Sequence, residues 1–524
     1  MLQKNKESEI LKNKNYLLEI MTKEELLKLY ERLKEQSRQA INKGSYDLAI
    51  TCLFGAGYIS YTFGLDYTDD EIESLLNVLS GQIRIKQPVV NQLHEGHRCV
   101  FLDGLSAFRG GLTVQYLRAI KATGWDVLYI SDQDLSQKHR APLVEELKTN
   151  PRLSYTSVPK KNRGLQISQF IYDAVMGFGP DNVIVHIPPF DSYIALACYA
   201  LPSSIKKFMV NYTDHSFLLG TGCMDYSFEF RNYGASISNV YRHFEPNKLL
   251  MLPYYAFSED VLTFQGLPEM CKGKTVFFSG GNFWKIIDDN DTFFIIVKRI
   301  LDAIPDAVFL LAGRGNEVEV NKAVARQKLD NRFVTLGWRQ DISELVNHCD
   351  IYVSTYPHGG GLMGQFAARA GKPILAYDPA GNKEIEHLTC QIKMVDFSFT
   401  NMDRLIEEAV RLAADDLYRK EKGEQIKECV LREEQFNELF INAIITCQPT
   451  GLPIEIDGSI QKHADEYIQG TIKSYSNGRF VKFLVRSMGK YAKRVLPVSY
   501  IMDYYKLQLG SAINTVGKKV LKIK

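Results

Sequence analysis

The chain has 524 residues, of which 45% are hydrophobic and 24% charged, with a formal net charge of +2; this is enough for two or three domains with full cores and excludes a disordered protein. Nine cysteines without any C-x-x-C pair point to thiols in a reducing cytosol, and away from a disulfide framework or a zinc site. The polar start Met1-Leu2-Gln3-Lys4-Asn5-Lys6-Glu7-Ser8 does not read as a signal peptide. No apolar run reaches the roughly 18 residues that a bilayer span needs, so a soluble body is expected.

Residues 1–95 read as a helical region, with Leu11, Tyr16, Leu17, Ile20, Leu26, Leu27, Tyr30 and Leu33 recurring at helical spacing between charged positions. From Arg98 the pattern changes to a βαβ unit. Strand Cys99–Leu102 is followed by a glycine-bearing loop over 103–111, a helix over Leu112–Ala122 and a strand at Val127–Ile130. Further strands at Val183–His186 and Phe208–Val210, with helices over Ile167–Met176 and Ser192–Ala200, complete a first α/β domain, placed at 96–265.

A second series begins at Thr275–Ser279 and continues through Val308–Ala312, Phe333–Thr335 and Ile351–Ser354. These strands are apolar throughout rather than alternating, as a parallel sheet covered on both faces requires. Two tandem, doubly wound Rossmann-like domains are therefore expected, the second at 266–447 with closing helices after Asn401 that cross back toward the first. Ligands of such sheets sit at the carboxyl ends of the strands. The loops at 103–111, 211–220, 279–285, 313–316 and 356–364 follow strands and would face each other across an interdomain cleft.

The stretch from Asp350 to Tyr377 reads as buried strand, glycine loop, small-residue helix and second buried strand. Gly359, Gly360 and Gly361 would let the backbone approach a ligand, and a helix starting near Leu362 would aim unpaired N–H groups and its positive end at an anion. A diphosphate suits that geometry.

Gln448-Pro449-Thr450-Gly451-Leu452-Pro453 marks a linker, and 448–524 is read as linker and tail. From Thr471 to Lys524 there are twelve Lys or Arg against one acid, Asp503, so the near-neutral total hides a basic tail on an acidic body. Phe480, Phe483, Leu484, Met488, Tyr491, Val495 and Leu496 stand among Lys482, Arg486, Lys490, Lys493 and Arg494. Such a basic amphipathic helix suits the surface of an anionic membrane. A basic helix packed on the acidic body, or one that binds nucleic acid, are the alternatives. The membrane reading makes residues 471–524 dispensable for folding.

With Asn211-Tyr-Thr-Asp-His-Ser-Phe-Leu-Leu-Gly220 followed by Asp225-Tyr226 and Glu229-Phe230-Arg231, residues 98–445 resemble GT-B fold glycosyltransferases. The resemblance is strongest to bacterial transferases related to the protein O- and N-glycosylating group. It rests also on Ser279-Gly280-Gly281, Gly313-Arg314-Gly315, Gly337-Trp338-Arg339 and Gly371-Lys372-Pro373. It implies transfer of a hexose or N-acetylhexosamine from a UDP- or GDP-sugar to a hydroxyl of a glycan, lipid-linked or protein acceptor. The setting would be cell-surface glycan assembly or protein glycosylation by a cytoplasmic enzyme on the inner face of the cell membrane, as a monomer or a homo- or hetero-oligomer. No nucleic acid, cofactor or metal is implied, since no D-x-D motif sits in a suitable loop.

By the same resemblance, backbone groups after Gly337, beside Trp338, would meet the base, and Gly359, Gly360, Gly361, Leu362 and Met363 would cradle the diphosphate. Lys285 and Arg314 would meet its growing charge. Gly110 and Gly111 would lie beside the phosphate or sugar, with Arg109 a ligand or a surface charge. His215 is the candidate base, oriented by Asp214. His186 reads as a packed or donor-contacting residue, and His358 as a sugar or phosphate contact or a helix cap. Relatives commonly place two acids, seven residues apart, where this chain has His358 and Phe366; Gln365 or Glu384 would have to replace the acid that binds ribose. The reading from another class is a non-catalytic, GT-B-like glycan-binding or accessory partner of a true transferase.

Overall fold

In a computed structural model, residues 22–84, 96–106, 111–257, 263–329, 331–462, 465–474 and 479–508 are described. Strands of three to six residues form the first sheet: β1 (Arg98–Asp103), β2 (Asp126–Ser131), β3 (Leu153–Ser157), β4 (Asn182–His186), β5 (Lys206–Val210), β6 (Tyr226–Glu229) and β7 (Leu249–Met251). All pair in parallel in the order β3-β2-β1-β4-β5-β6-β7, with Phe101 opposite Tyr129 on one side and Ile184 on the other. Every residue of β4 is buried, the burial that a strand covered on both faces needs.

The second sheet comprises β8 (Thr275–Asn282), β9 (Ala307–Arg314), β10 (Phe333–Gly337), β11 (Ile351–Val353), β12 (Ile374–Tyr377) and β13 (Ser398–Phe399), ordered β10-β9-β8-β11-β12-β13. Two α/β domains in tandem are thus present as the sequence predicts. Four strands escape sequence reading. β3, Leu-Ser-Tyr-Thr-Ser, is a half-exposed edge strand without an apolar run, and β6, β7 and β13 are four residues or fewer.

Helix boundaries follow from capping. Thr22 and Glu25 form a reciprocal capping box that starts Lys23–Asn42. Gly64, with φ of 64°, stops Tyr46–Phe63. Asp191 accepts from the Tyr193 and Ile194 amides to start Ser192–Ala200. These helices, with Asp70–Ser80, form a layer whose core is continuous with the first sheet: Leu33, Leu53, Ile59 and Leu76 share a cluster with Val100, Val183 and Leu196. The predicted helical positions Leu11, Tyr16, Leu17 and Ile20 lie outside the described residues.

The helix Glu433–Thr446 crosses back as expected, burying Phe436, Phe440 and Ala443 with Tyr116, Phe228 and Tyr255 of the first domain. The tail departs from expectation. The helix Arg479–Met488 turns Phe480, Leu484, Val485 and Met488 into the core of the helical layer, followed by Val495 and Leu496. Phe480 meets Phe63 edge-on at 4.8 Å between ring centroids. Gly55 lies against this helix, where a Cβ would stand in ordinary contact with Leu484 and Met488 at 3.5 Å and closer, at 3.2 Å, to Leu33. The apolar stripe expected on lipid is therefore spent inside the protein, and this part of the tail belongs to the fold. What remains exposed is Phe483 in part, and then Val498, Met502 and Tyr505. Among the described residues, no helix is long and apolar enough to cross a membrane.

Leu484→Ala should cost about 2–5 kcal/mol of stability, the range for a leucine removed from a packed core. Val498→Ala, on the exposed end, should stay within about 0.5 kcal/mol. Urea unfolding of the two variants decides the matter, and equal midpoints would return the tail to the surface.

Candidate active site

The carboxyl ends of β5 and β6 carry the first wall. After β5 the chain enters the 211–220 loop, and a fully buried guanidinium, Arg242, braces it. Arg242 Nη1 donates to Asn211 Oδ1 at 3.0 Å and Nη2 to the Ser216 carbonyl at 2.6 Å. Asn211 Nδ2 in turn donates to Glu229 Oε2 at 2.7 Å. Burial pushes the Glu229 carboxyl up, against hydrogen bonds from Ser227 and Ser238, the Arg242 charge and Asn211. This network holds Asn211 and Ser216, on either side of Asp214 and His215 in the loop.

Asp214 is buried and clasped from two sides. Arg231, just beyond β6, donates Nε to Oδ2 at 2.6 Å and Nη2 to Oδ1 at 3.1 Å, while His215 Nδ1 stands 3.2 Å from Oδ1. Burial acts to raise the Asp214 carboxyl, but the hydrogen bonds from His215 and Arg231 prevail and hold it at about 2. Arg231 takes up the carboxylate charge, so Asp214 serves mainly to orient the His215 ring. That ring is 58% exposed and faces the cleft. Gly234 is needed behind the pair, because a Cβ there would sit 2.7 Å from that of Asp214.

The second wall follows β8. The turn Phe283–Ile286 carries Trp284 and Lys285, and Lys285 Nζ donates to the Gly359 carbonyl at 2.8 Å while the His358 amide donates to the Lys285 carbonyl at 3.3 Å. The two loops are thereby clasped, with the Trp284 and His358 rings 4.9 Å apart. Burial lowers the Lys285 ammonium, against the charge of Glu384. Beyond Gly360 the helix Gly361–Arg369 begins, its N-terminus unoccupied by any side-chain cap.

A cavity of about 840 Å³ lies between the walls. His215 and Asp214 line it from one side, and Lys285, His358, Gly359 and Gln365 from the other. Glu384, named beside Gln365 as a substitute acid, also lines it. Gln365 is buried, donates Nε2 to the Leu388 carbonyl at 3.1 Å, and keeps Oε1 without a hydrogen-bond partner among the described residues.

Other predicted residues are placed differently. Gly111 takes φ of 84° and starts the helix Leu112–Ala122, and Phe257 fills the space where its side chain would be; it serves packing and does not line the cavity. Gly110 and Arg109 lie outside the described residues. Arg314 and Trp338 pair with each other, guanidinium over ring at 4.5 Å, at the ends of β9 and β10 but not on the cavity wall. Leu362 and Met363 begin the helix without lining the cavity either. The glycine loop is also revised. None of Gly359, Gly360 or Gly361 has a left-handed φ. Ile385 and Leu388 occupy the space beside Gly359 and Gly361, so these two glycines let the helix Glu384–Thr389 come close. His186 is buried, between the rings of Phe101 and Tyr212, and Phe366 is buried in the second core.

Sequence reading overlooked Arg231 as a site residue, because the short strand it follows, β6, was itself not legible. It also missed Tyr233, Tyr254, Asn382, His387 and Gln391, all of which line the cavity. Gln391 closes its floor: Nε2 donates to the Tyr254 carbonyl and Oε1 accepts from the Leu431 amide at 2.8 Å. Tyr467, from the helix Asp465–Ser474, lines the cavity as well, and no sequence signal pointed to it.

Residues 273–415 match the family model of glycosyl transferases group 1. Joined to the two facing Rossmann-like domains, that match defines the class: a glycosyltransferase of GT-B type, which moves a sugar from a nucleotide donor. No curated protein matches the sequence. Similar solved structures include an O-GlcNAc transferase mutant of Thermobaculum terrenum, 14% identical with a TM-score of 0.45 over 84% of this chain and 83% of that one. Anabaena HepE in complex with UDP and glucose is 12% identical with a TM-score of 0.48, over 67% and 100%. A putative UDP-N-acetylglucosamine 2-epimerase of Listeria monocytogenes is 12% identical with a TM-score of 0.47, over 69% and 100%. At such values these likenesses carry no statement about chemistry. The non-catalytic reading gains no support from any of them.

The Asp214 carboxyl sets an acid limb of stability. A depressed folded-state value means the contribution is complete above the unfolded value near 4 and is lost as pH falls toward about 2. The contribution is of the order of 2 kcal/mol. Urea midpoints of Asp214→Asn should be lower than wild type at pH 7 and flatter between pH 4 and 2; parallel curves would remove this carboxylate from the account.

Proposed function

We propose that the cavity transfers a hexose or N-acetylhexosamine from UDP or GDP to a hydroxyl of a glycan, lipid-linked or protein acceptor. One observation carries this reading: His215 and the Lys285–Gly359 clasp line the same cavity from opposite domains. As the bond between sugar and diphosphate breaks, negative charge grows on the departing phosphate. Lys285 and the open N-terminus of Gly361–Arg369 supply positive potential for it. With Nδ1 turned to Asp214 at 3.2 Å, the His215 ring, which lines the cavity, is the group assigned to take the acceptor proton. Backbone groups after Gly337, beside Trp338, are assigned to the base, and Gln365 or Glu384 to the ribose.

Positive potential from protein groups makes a metal ion and a cofactor unnecessary in this reading. His215→Ala should lower transfer or donor hydrolysis by about 10²–10⁴, the usual weight of a general base, and leave the thermal shift given by UDP or GDP in place. EDTA should leave the wild-type rate unchanged. A His215→Ala enzyme with full turnover would refute the assignment of the base.

The exposed Lys490, Lys493 and Arg494, beside the exposed Val498 and Met502, are the surface proposed to touch an anionic membrane on its inner face. Charge reversal at the three basic positions should abolish co-sedimentation with phosphatidylglycerol vesicles at about 0.1 M salt, where surface attraction still reaches some 10 Å. Undiminished co-sedimentation counts against a peripheral role of this surface.

A further inference from the structure

The region read from sequence as a linker is a strap, and it runs along one helix of the first domain. Thr450 Oγ1 donates to the Met251 carbonyl at 2.7 Å at the end of β7. The Glu455 amide donates to Asn232 Oδ1 at 3.1 Å and the Asp457 amide to Ser236 Oγ at 2.8 Å, both on the helix Asn232–Val240. Tyr241, just past that helix, donates its hydroxyl to the Ile460 carbonyl at 2.8 Å. Lys462 then pairs with Asp66 at 2.7 Å and Asp465 with Lys23, both in the N-terminal helical layer. The strap ends in the helix Asp465–Ser474, whose Tyr467 enters the cavity wall.

The helix that carries the strap also carries Tyr233, on the same wall. The Arg231 guanidinium stacks over the Tyr233 ring at 4.7 Å, and the Tyr233 hydroxyl meets Tyr67 of the N-terminal layer. Tyr233 is 37% and Tyr467 49% exposed, and both line the cavity that His215 lines. Both additions to the chain, the helical layer before the first domain and the strap after the second, therefore converge on the first-domain side of the cleft.

From this convergence we infer that Tyr467 and Tyr233 form the acceptor end of the cavity and that the acceptor is a carbohydrate. The inference rests on the transferase reading of the same cavity. A pyranose has a flat C–H face and a rim of hydroxyls; half-exposed tyrosine rings cover the face, and Asp214, His215 and Arg231 meet the rim. A lipid tail is disfavoured, because those three groups would lose hydration against it without gaining a partner. A peptide is disfavoured because this wall stands at strand ends, where no ladder edge is free to pair with an extended chain. Tyr467 is a specificity-determining residue contributed by the C-terminal extension.

The test uses full-length protein loaded with UDP, or with GDP if that alone gives a thermal shift, on an array of diverse glycans that also carries Ser/Thr-rich peptides. Wild type should bind at least one glycan. Tyr467→Ala should weaken that glycan about tenfold, as expected for one aromatic contact, and Tyr467→Phe should restore most of it. The nucleotide thermal shift is the control for the donor end, and the unfolding midpoint the control for folding. Absence of any glycan bound by nucleotide-loaded wild type, binding to peptides instead, or undiminished glycan binding by Tyr467→Ala would each overturn the inference. Failure of both nucleotides to shift the midpoint would overturn the transferase reading itself.

Discussion

One buried cation holds the first wall of the cleft together. Arg242 lies wholly out of water, where a guanidinium is costly unless its donors are met. Burial lowers its pKa, with Glu229 and Asp214 opposing. The Asn211 side chain, the Ser216 carbonyl and, at 3.4 Å, the Tyr67 carbonyl accept from it. Those acceptors come from the start and the middle of the 211–220 loop and from the N-terminal layer. Satisfying one charge thus fixes where Asp214 points, and Asp214 in turn fixes Arg231 and the His215 ring. Removing Arg242 would leave several oriented dipoles and a buried Glu229 without their counterpart.

The opposite wall is organised by closeness instead of charge. Gly361 and Gly364 face Leu388 and Thr389 so tightly that a Cβ would lie 2.8 and 2.3 Å from them. Small residues bring the helix Glu384–Thr389 against Gly361–Arg369, and that contact sets Glu384 and His387 on the cavity wall. The glycines read from sequence as a place for a phosphate are in two of three cases a place for a neighbouring helix. The positive potential proposed for the diphosphate then comes from the helix N-terminus and Lys285.

Much of the architecture was legible. Apolar strands such as Val183–His186 and helices with clear stops such as Leu112–Ala122 fall where their composition puts them, because local pattern and tertiary burial agree there. Asp214, His215, Lys285 and His358 were legible for a second reason: each follows a strand, and strand ends meet in a cleft. Tyr467 was not legible, since its place depends on backbone hydrogen bonds of the strap to Asn232, Ser236 and Tyr241, more than two hundred residues earlier. The tail was misjudged on physical grounds that sequence alone leaves balanced. An amphipathic basic helix suits lipid and suits an acidic protein equally, and only the burial of Leu484 and Met488 in the helical layer shows which surface receives them.

The cavity floor has a mechanical meaning. Because Glu433–Thr446 and the strap both lie on the first domain, the second domain is an insertion joined to the rest by two crossings, one at Leu252–Phe257 and one at Cys429–Arg432. Gln391, which belongs to the inserted body, grips both through Tyr254 and Leu431. The crossings are therefore coupled at a single amide. A displacement of either crossing relative to the inserted body must carry the other with it or break one of these two hydrogen bonds.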